Sequence, residues 1–327
     1  MKLTSRTFAK ILFSLAFVAN LAVAAGFDQS AQNGFRYGPN LSWSFVGNTP
    51  FVWGQWYPQL MGNLHYTWLE PLDELSYGDP MERTPTYLKM EASVEASPFY
   101  GGYQVGLGIR PFKTNPQVEV NVLYESFLYF YSNLEMVNAD VAGEGRIAES
   151  WNADYIADNV WQSDAATFDY AQLFDMGVSL EYIFAGGSLL GASMHYILSD
   201  ISTDFTGKSY DYKRNIPVFS RDFLIEVTTY GRVPLTEHFA LMLETIYYRT
   251  GYLRSGGSVE KESLSYGTMM GGPHFSWNKG LQNITLEVGA MKRGRDRSYD
   301  GSLAQQFLVQ LEYQGYVSFP FSRHFTK

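Results

Sequence analysis

The segment LFDMGVSLEYIFAGGSLLGASMHYILSD, residues 173–200, holds two rows of opposite character. Met176, Val178, Leu180, Tyr182 and Phe184 alternate with Asp175, Gly177, Ser179, Glu181 and Ile183. Ala185-Gly186-Gly187 then supplies a turn, and Leu190, Ala192, Met194, Tyr196 and Leu198 resume the apolar row. A side-chain period of two, broken by a glycine pair, predicts a β-hairpin. A soluble sandwich would bury the apolar row and expose the polar one. Here the polar row is small or charged and the apolar row is tipped with aromatics, which suits a sheet with lipid outside and water inside.

The same period recurs on both sides. Upstream, Leu41, Trp43 and Phe45 form a first row, and Leu60, Gly62, Leu64, Tyr66 and Trp68 a second. Leu88 to Ala96, Tyr103 to Ile109 and Val118 to Tyr124 continue the alternation, with Lys113-Thr114-Asn115-Pro116 as turn chemistry. Downstream, Phe223 to Val233 and Phe239 to Tyr247 alternate, Leu264, Tyr266, Thr268 and Met270 form a further row, and Ile284 to Ala290 and Phe307 to Phe319 complete the set. Backbone groups in lipid are satisfied only if such a sheet closes on itself. The expected fold is therefore all-β: a transmembrane antiparallel up-and-down barrel of about twelve strands, with ten as the alternative.

Connection length sets the expected orientation, because such barrels have short periplasmic turns and longer outer loops. Turns centred on Lys113, Gly186, Thr236 and Asn278 fall on the periplasmic side. The connections around Trp151, Tyr210, Ser255 and Asp296 fall on the outer side, and Glu70 to Thr84 is a long periplasmic connection.

The N-terminus reads as an export signal. Lys2, Arg6 and Lys10 precede an apolar run from Ile11 to Val23, and small residues follow, so residues 1–25 are expected to be a signal peptide and 26–327 the barrel domain. There is no cysteine, which excludes disulfides, thiolate chemistry and a lipid-modified N-terminal cysteine. Of 24 Lys and Arg, three leave with the leader, against 33 Asp and Glu, so the processed chain carries about −12 and nucleic acid is not an expected partner. From leader to aromatic-rich final strand, ending in Phe319, Phe321 and Phe325, the chain resembles a bacterial outer-membrane β-barrel protein. That resemblance implies residence in the outer membrane among lipid and lipopolysaccharide, and we expect a monomer.

Functional candidates lie on the inward rows. Glu91, Glu226, Glu244, Glu287 and Glu312 fall near mid-strand, with Glu119, Glu125 and Glu181 on the same inner face. They form either a cation-favouring constriction or a filled interior paired with the expected lumen bases Lys89, Arg110, Arg232 and Arg249. His65 and His195 also point inward; neither belongs to a Gly-x-Ser-x-Gly or His-Glu-x-x-His motif, so they are expected as hydrogen-bonded fillers. Ser193, His195 and Asp200 resemble hydrolase components only superficially, because Asp200 sits at the strand's far end. No catalytic residue, metal or cofactor is expected.

Phe51, Trp53, Trp56 and Tyr57, in a connection from Asn48 to Gln59, suit an interfacial girdle. Outer loops carry Lys208, Lys213 and Arg214, then Arg249 and Arg254, then Lys292, Arg293, Arg295 and Arg297. The last four are expected to contact lipopolysaccharide phosphates. The function expected is a narrow pore or a structural envelope component. The alternatives are a membrane-embedded lipid-processing enzyme, or a scaffold for a periplasmic or surface partner.

Overall fold

The computed structural model describes residues 38–52, 55–56, 59–72, 86–98, 100–129, 169–201, 208–211, 213–214, 216–219, 221–250, 265–278, 281–293 and 305–318. The signal-peptide segment and the loop centres around Trp151, Ser255 and Asp296 lie outside these residues.

Twelve long strands form the barrel: β1 (Gly38–Val52), β3 (Gln59–Pro71), β4 (Tyr87–Ala96), β5 (Tyr100–Arg110), β6 (Gln117–Tyr129), β7 (Asp169–Ile183), β8 (Leu189–Ile201), β11 (Arg221–Pro234), β12 (Phe239–Thr250), β13 (Ser265–Trp277), β14 (Gln282–Arg293) and β15 (Gln305–Ser318). Each pairs with its neighbours in the sheet, and β15 returns to β1 from Asn40 opposite Ser318 to Phe51 opposite Phe307. Closure leaves no free edge, as lipid requires. The first expected row, Leu41 to Phe45, therefore lies in a barrel strand and holds the seam. β1 continues through Asn48 to Val52, where sequence reading expected a connection, and a two-residue strand β2 (Gln55–Trp56) folds back on it. A separate two-stranded hairpin, β9 (Lys208–Asp211) with β10 (Ile216–Phe219), sits within the connection from β8 to β11.

Exposure is inverted relative to a soluble protein. Phe45 is 60% exposed and Leu107 58%, whereas Glu125 and Glu287 are 1% and 2% exposed. Apolar surface left open at about 25 cal/mol per Å² is unfavourable in water and favourable in a bilayer, so the outer row faces lipid. This is the architecture of a bacterial outer-membrane β-barrel. Aromatic pairs mark both ends of the apolar band. Tyr196–Phe223 lies toward one rim, and Phe239–Phe275, Trp277–Tyr313 and Tyr182–Phe184 lie toward the other.

Short turns gather at that second rim, the turn rim. Gly187, with φ 78°, closes the β7–β8 turn, where its amide donates to the Phe184 carbonyl at 2.9 Å; Asn278, with φ 52°, opens the β13–β14 turn. The Asn115 side chain ties the β5–β6 turn to β7, donating to the Ile183 carbonyl at 2.7 Å and accepting from its amide at 3.0 Å. The connections from β6 to β7, β8 to β11, β12 to β13 and β14 to β15 leave the opposite, loop rim. One row reverses the expectation. On β13 Thr268 and Met270 face the lumen, while Met269, Phe275 and Trp277 face outward.

Candidate functional site

The lumen is organised by charge. Near the turn rim, β4, β5, β6 and β7 bring Lys89, Arg110, Glu119 and Glu181 together. Lys89 Nζ lies 2.6 Å from Glu119 Oε1 and 3.3 Å from Glu91 Oε1. Arg110 Nη2 lies 3.0 Å from both Glu119 Oε2 and Glu181 Oε2. Arg110 also donates to the Gln117 side-chain oxygen. Tyrosine hydroxyls complete the lattice, Tyr87 donating to Glu119 at 2.6 Å and Tyr230 to Glu181 at 2.8 Å. Gly108 makes room for it, since a Cβ there would meet Lys89 Cε at 2.8 Å. Buried charges this well paired hold a wall shut, because removing one member strands the others.

A second group lies toward the loop rim. Glu95 and Glu125, both buried, are oriented from β5, where Tyr100 donates to Glu95 at 2.5 Å and Gln104 to Glu95 at 3.3 Å. Their cationic partners come from the hairpin connection. Lys213 Nζ sits 3.2 Å from Glu95 Oε2 and 3.1 Å from Glu125 Oε2, and Arg214 Nη2 sits 2.7 Å from Glu125 Oε1. Arg214 Nε is 3.6 Å from Glu226 Oε2. Burial works against the Lys213 ammonium, but Glu125 and Glu95 outweigh it and hold its pKa above the ordinary value. These two bases therefore point inward, where sequence reading placed them among the outer-loop charges.

Beneath this group Asp175 and His195 pair across β7 and β8, with Nδ1 3.0 Å from both carboxylate oxygens. Gly177, directly opposite His195, admits the ring: a Cβ there would lie 2.7 Å from His195 Nδ1. The partner of His195 is thus Asp175, not the Asp200 of the superficial triad. His65 Nε2 lies 3.2 Å from Glu91 Oε2, and a third lumen histidine, His274, bonds Thr285 at 2.9 Å and Ser276 at 3.0 Å. Both expected histidines are hydrogen-bonded. Among the described residues no three His, Asp or Glu side chains gather as metal ligands.

The wall from β12 to β15 differs. Glu244 and Glu287 are buried and Glu312 lines the lumen beside them; Gln310 Nε2 donates to Glu287 Oε2 at 3.2 Å. Among the described residues neither Glu287 nor Glu312 has a Lys or Arg within ion-pair distance. Between the walls is a cavity of about 560 Å³, lined by six carboxylates (Glu95, Glu125, Asp175, Glu226, Glu244, Glu312) and two fixed cations, Lys213 and Arg214, with His65 and His195 also on its surface.

Of the expected lumen residues, Glu91, Glu226, Glu244, Glu287, Glu312, Lys89, Arg110, Arg232, His65 and His195 lie on inward rows. Arg249 does not. Glu244 and Tyr248 fix the inward parity of β12, so Arg249 falls on the outward row with Leu241 and Tyr247 and is exposed. At the strand's loop-rim end an arginine reaches water or headgroups without crossing the apolar band. Lys292 and Arg293 are the last residues of β14 rather than loop residues, and Arg295 and Arg297 lie outside the described residues.

Periodicity also missed an apolar seat inside the lumen: Phe127, Leu173, Ile197, Ile201 and Leu224, on inward rows near the loop rim, are each at most 2% exposed. The signal was present in Leu173, Ile197 and Ile201, apolar residues standing on otherwise polar rows.

No family model matches the chain, and no curated protein matches it either. Among solved structures it is similar to an outer membrane channel from Pseudomonas putida F1, at 8% identity over 90% of this chain and 100% of that one, TM-score 0.49. It is similar to the translocator domain of the autotransporter NalP from Neisseria meningitidis at 9% identity over 95% and 96% of the two chains, TM-score 0.41. A third likeness is to the NanC porin, at 9% identity over 84% and 100%, TM-score 0.39. At these identities the likeness is one of fold.

Proposed function

We propose that this protein is a narrow outer-membrane channel that favours cations. The observation that carries the reading is the charge imbalance of the lumen cavity, six carboxylates against two fixed cations. A low-dielectric wall focuses such an excess into the aqueous path and raises the local concentration of counter-ions. The path runs along β12 to β15, past Glu244 and Glu312, because the opposite wall has neutralised its carboxylates with Lys89, Arg110, Lys213 and Arg214. Purified protein in a planar bilayer under a potassium chloride gradient is expected to conduct with a reversal potential on the cation side. A silent bilayer, or an anion-side reversal potential, removes the reading.

The Asp175–His195 pair is the observation that favours the lipid-processing alternative, since a carboxylate-oriented imidazole is the base of a hydrolytic site. Its candidate nucleophile is Ser193, two residues away on the same strand face. Loss of a measured phospholipase or deacylase activity in S193A would establish that reading. The exposed Arg249 and the basic end of β14 support a further proposal, contact with lipopolysaccharide phosphates at the loop rim.

A further inference from the structure

We propose that the β9–β10 hairpin is a strap folded into the loop-rim mouth of the lumen and bolted there by Lys213 and Arg214, and that its release widens the path through the barrel. Lys89 and Arg110 belong to barrel strands and cannot leave the lumen without unfolding it. Lys213 and Arg214 belong to a hairpin whose ladder, among the described residues, pairs β9 with β10 in a sheet of its own. Among those residues, what holds these bases in the lumen is side-chain chemistry rather than barrel backbone pairing.

The wall carries a catch of matching shape. Glu95 from β4 and Glu125 from β6 flank β5, and Tyr100 and Gln104 of β5 fix the Glu95 carboxylate from behind. The ammonium of Lys213 bridges Glu95 and Glu125, and the guanidinium of Arg214 reaches from Glu125 toward Glu226, so the bolt engages three strands. A second, independent feature lies alongside. Inward-facing Phe127, Leu173, Ile197, Ile201 and Leu224 are at most 2% exposed, although an open water-filled mouth would wet them, and Lys213 Nζ stands 5.1 Å over the Phe127 ring. The barrel thus has an apolar seat and an acidic catch at one mouth, and the bases that engage them come from a connection rather than from the wall. With the strap displaced, Glu95 and Glu125 become hydrated acids at the entrance and add to the cation-favouring field. The element therefore has a closed, ion-paired arrangement and an open, hydrated one, the two-state character that gating requires.

The test uses the cysteine-free full-length chain. Thr228, 6% exposed, lines the cavity from β11, so Thr228→Cys reports entry of a membrane-impermeant thiol reagent added outside intact cells. In this background K213Q/R214Q removes the bolt and E95Q/E125Q removes the catch; gel mobility before and after heating confirms that each barrel is folded. Both pairs are expected to label at least about tenfold faster than the parent, since each breaks the ion pairs that favour the closed state, with K213Q alone intermediate. Single-channel conductance, the arm that rests on the channel reading, should rise in step. Unchanged labelling in folded K213Q/R214Q or E95Q/E125Q overturns the strap. Faster labelling with no conductance in any variant keeps the strap and removes the channel.

Discussion

The two walls of the lumen use the same residue type to opposite ends. From β4 to β7, Glu91, Glu119, Glu125 and Glu181 each meet a lysine or arginine within 3.3 Å. From β12 to β15, Glu287 and Glu312 have no such partner among the described residues, and Glu287 receives only an amide hydrogen bond, at 3.2 Å. The residues on the two walls are indistinguishable by periodicity, since all are polar positions on alternating strands. What differs is what stands opposite them in register. Lys89, Arg110 and Glu119 fall around the glycine-lined face of β5, whereas the neighbours of Glu287 are Gln310, Gly289 and Thr285. A carboxylate with a fixed counter-charge is a structural tie. One without must be hydrated, matched by a mobile cation or protonated.

The largest expected effect tests the tied wall. Arg110→Gln leaves Glu119 and Glu181 short of a cation, each pair costing about 3 to 5 kcal/mol when broken in a buried setting. It should lower the urea midpoint of the lipid-reconstituted barrel far more than Glu287→Gln does. Equal losses would erase the distinction between the walls. An intermediate effect is expected for Asp175→Asn, which weakens the bond to His195 Nδ1 and should cost about 1 to 3 kcal/mol in the same unfolding assay. No change there would leave His195 held by its strand alone.

The smallest effect lies outside the lumen. Replacing Arg249 and Lys292, both on outward rows at the loop rim, by Gln should reduce lipopolysaccharide retained through detergent purification at low ionic strength and have little effect at high salt, where screening has already weakened the attraction. Retention identical at both salts would return these bases to solvated charge.

The frame that carries the two walls is legible in the sequence, while the contrast between them is not. The 173–200 hairpin, its turn and both its rows stand as read, as do the twelve strands, and the five mid-strand glutamates lie on inward rows. β13 was misread because Tyr266, Thr268 and Met270 compete with a row of Gly267, Met269, Gly271, Pro273 and Phe275; neither is clearly the more apolar, so a period of two does not choose between them. Arg249 failed because a charge at a strand end satisfies either face. Lys213 and Arg214 were read as outer-loop charges, since a connection has no period and nothing in the sequence ties position 214 to Glu125. Pairings such as Arg110 with Glu181 depend on strand order and register, which alternation alone does not specify.

Ion selectivity measures the contrast most directly. In a planar bilayer under a salt gradient, E244Q/E287Q/E312Q should lose most of the parent's cation preference while still conducting, and E119Q/E181Q, altering the tied wall, should leave the preference of whatever barrel folds unchanged. A parent whose reversal potential is indifferent to the first triple substitution, or shifts only with the second pair, would contradict the assignment of the permeation path to the β12–β15 wall.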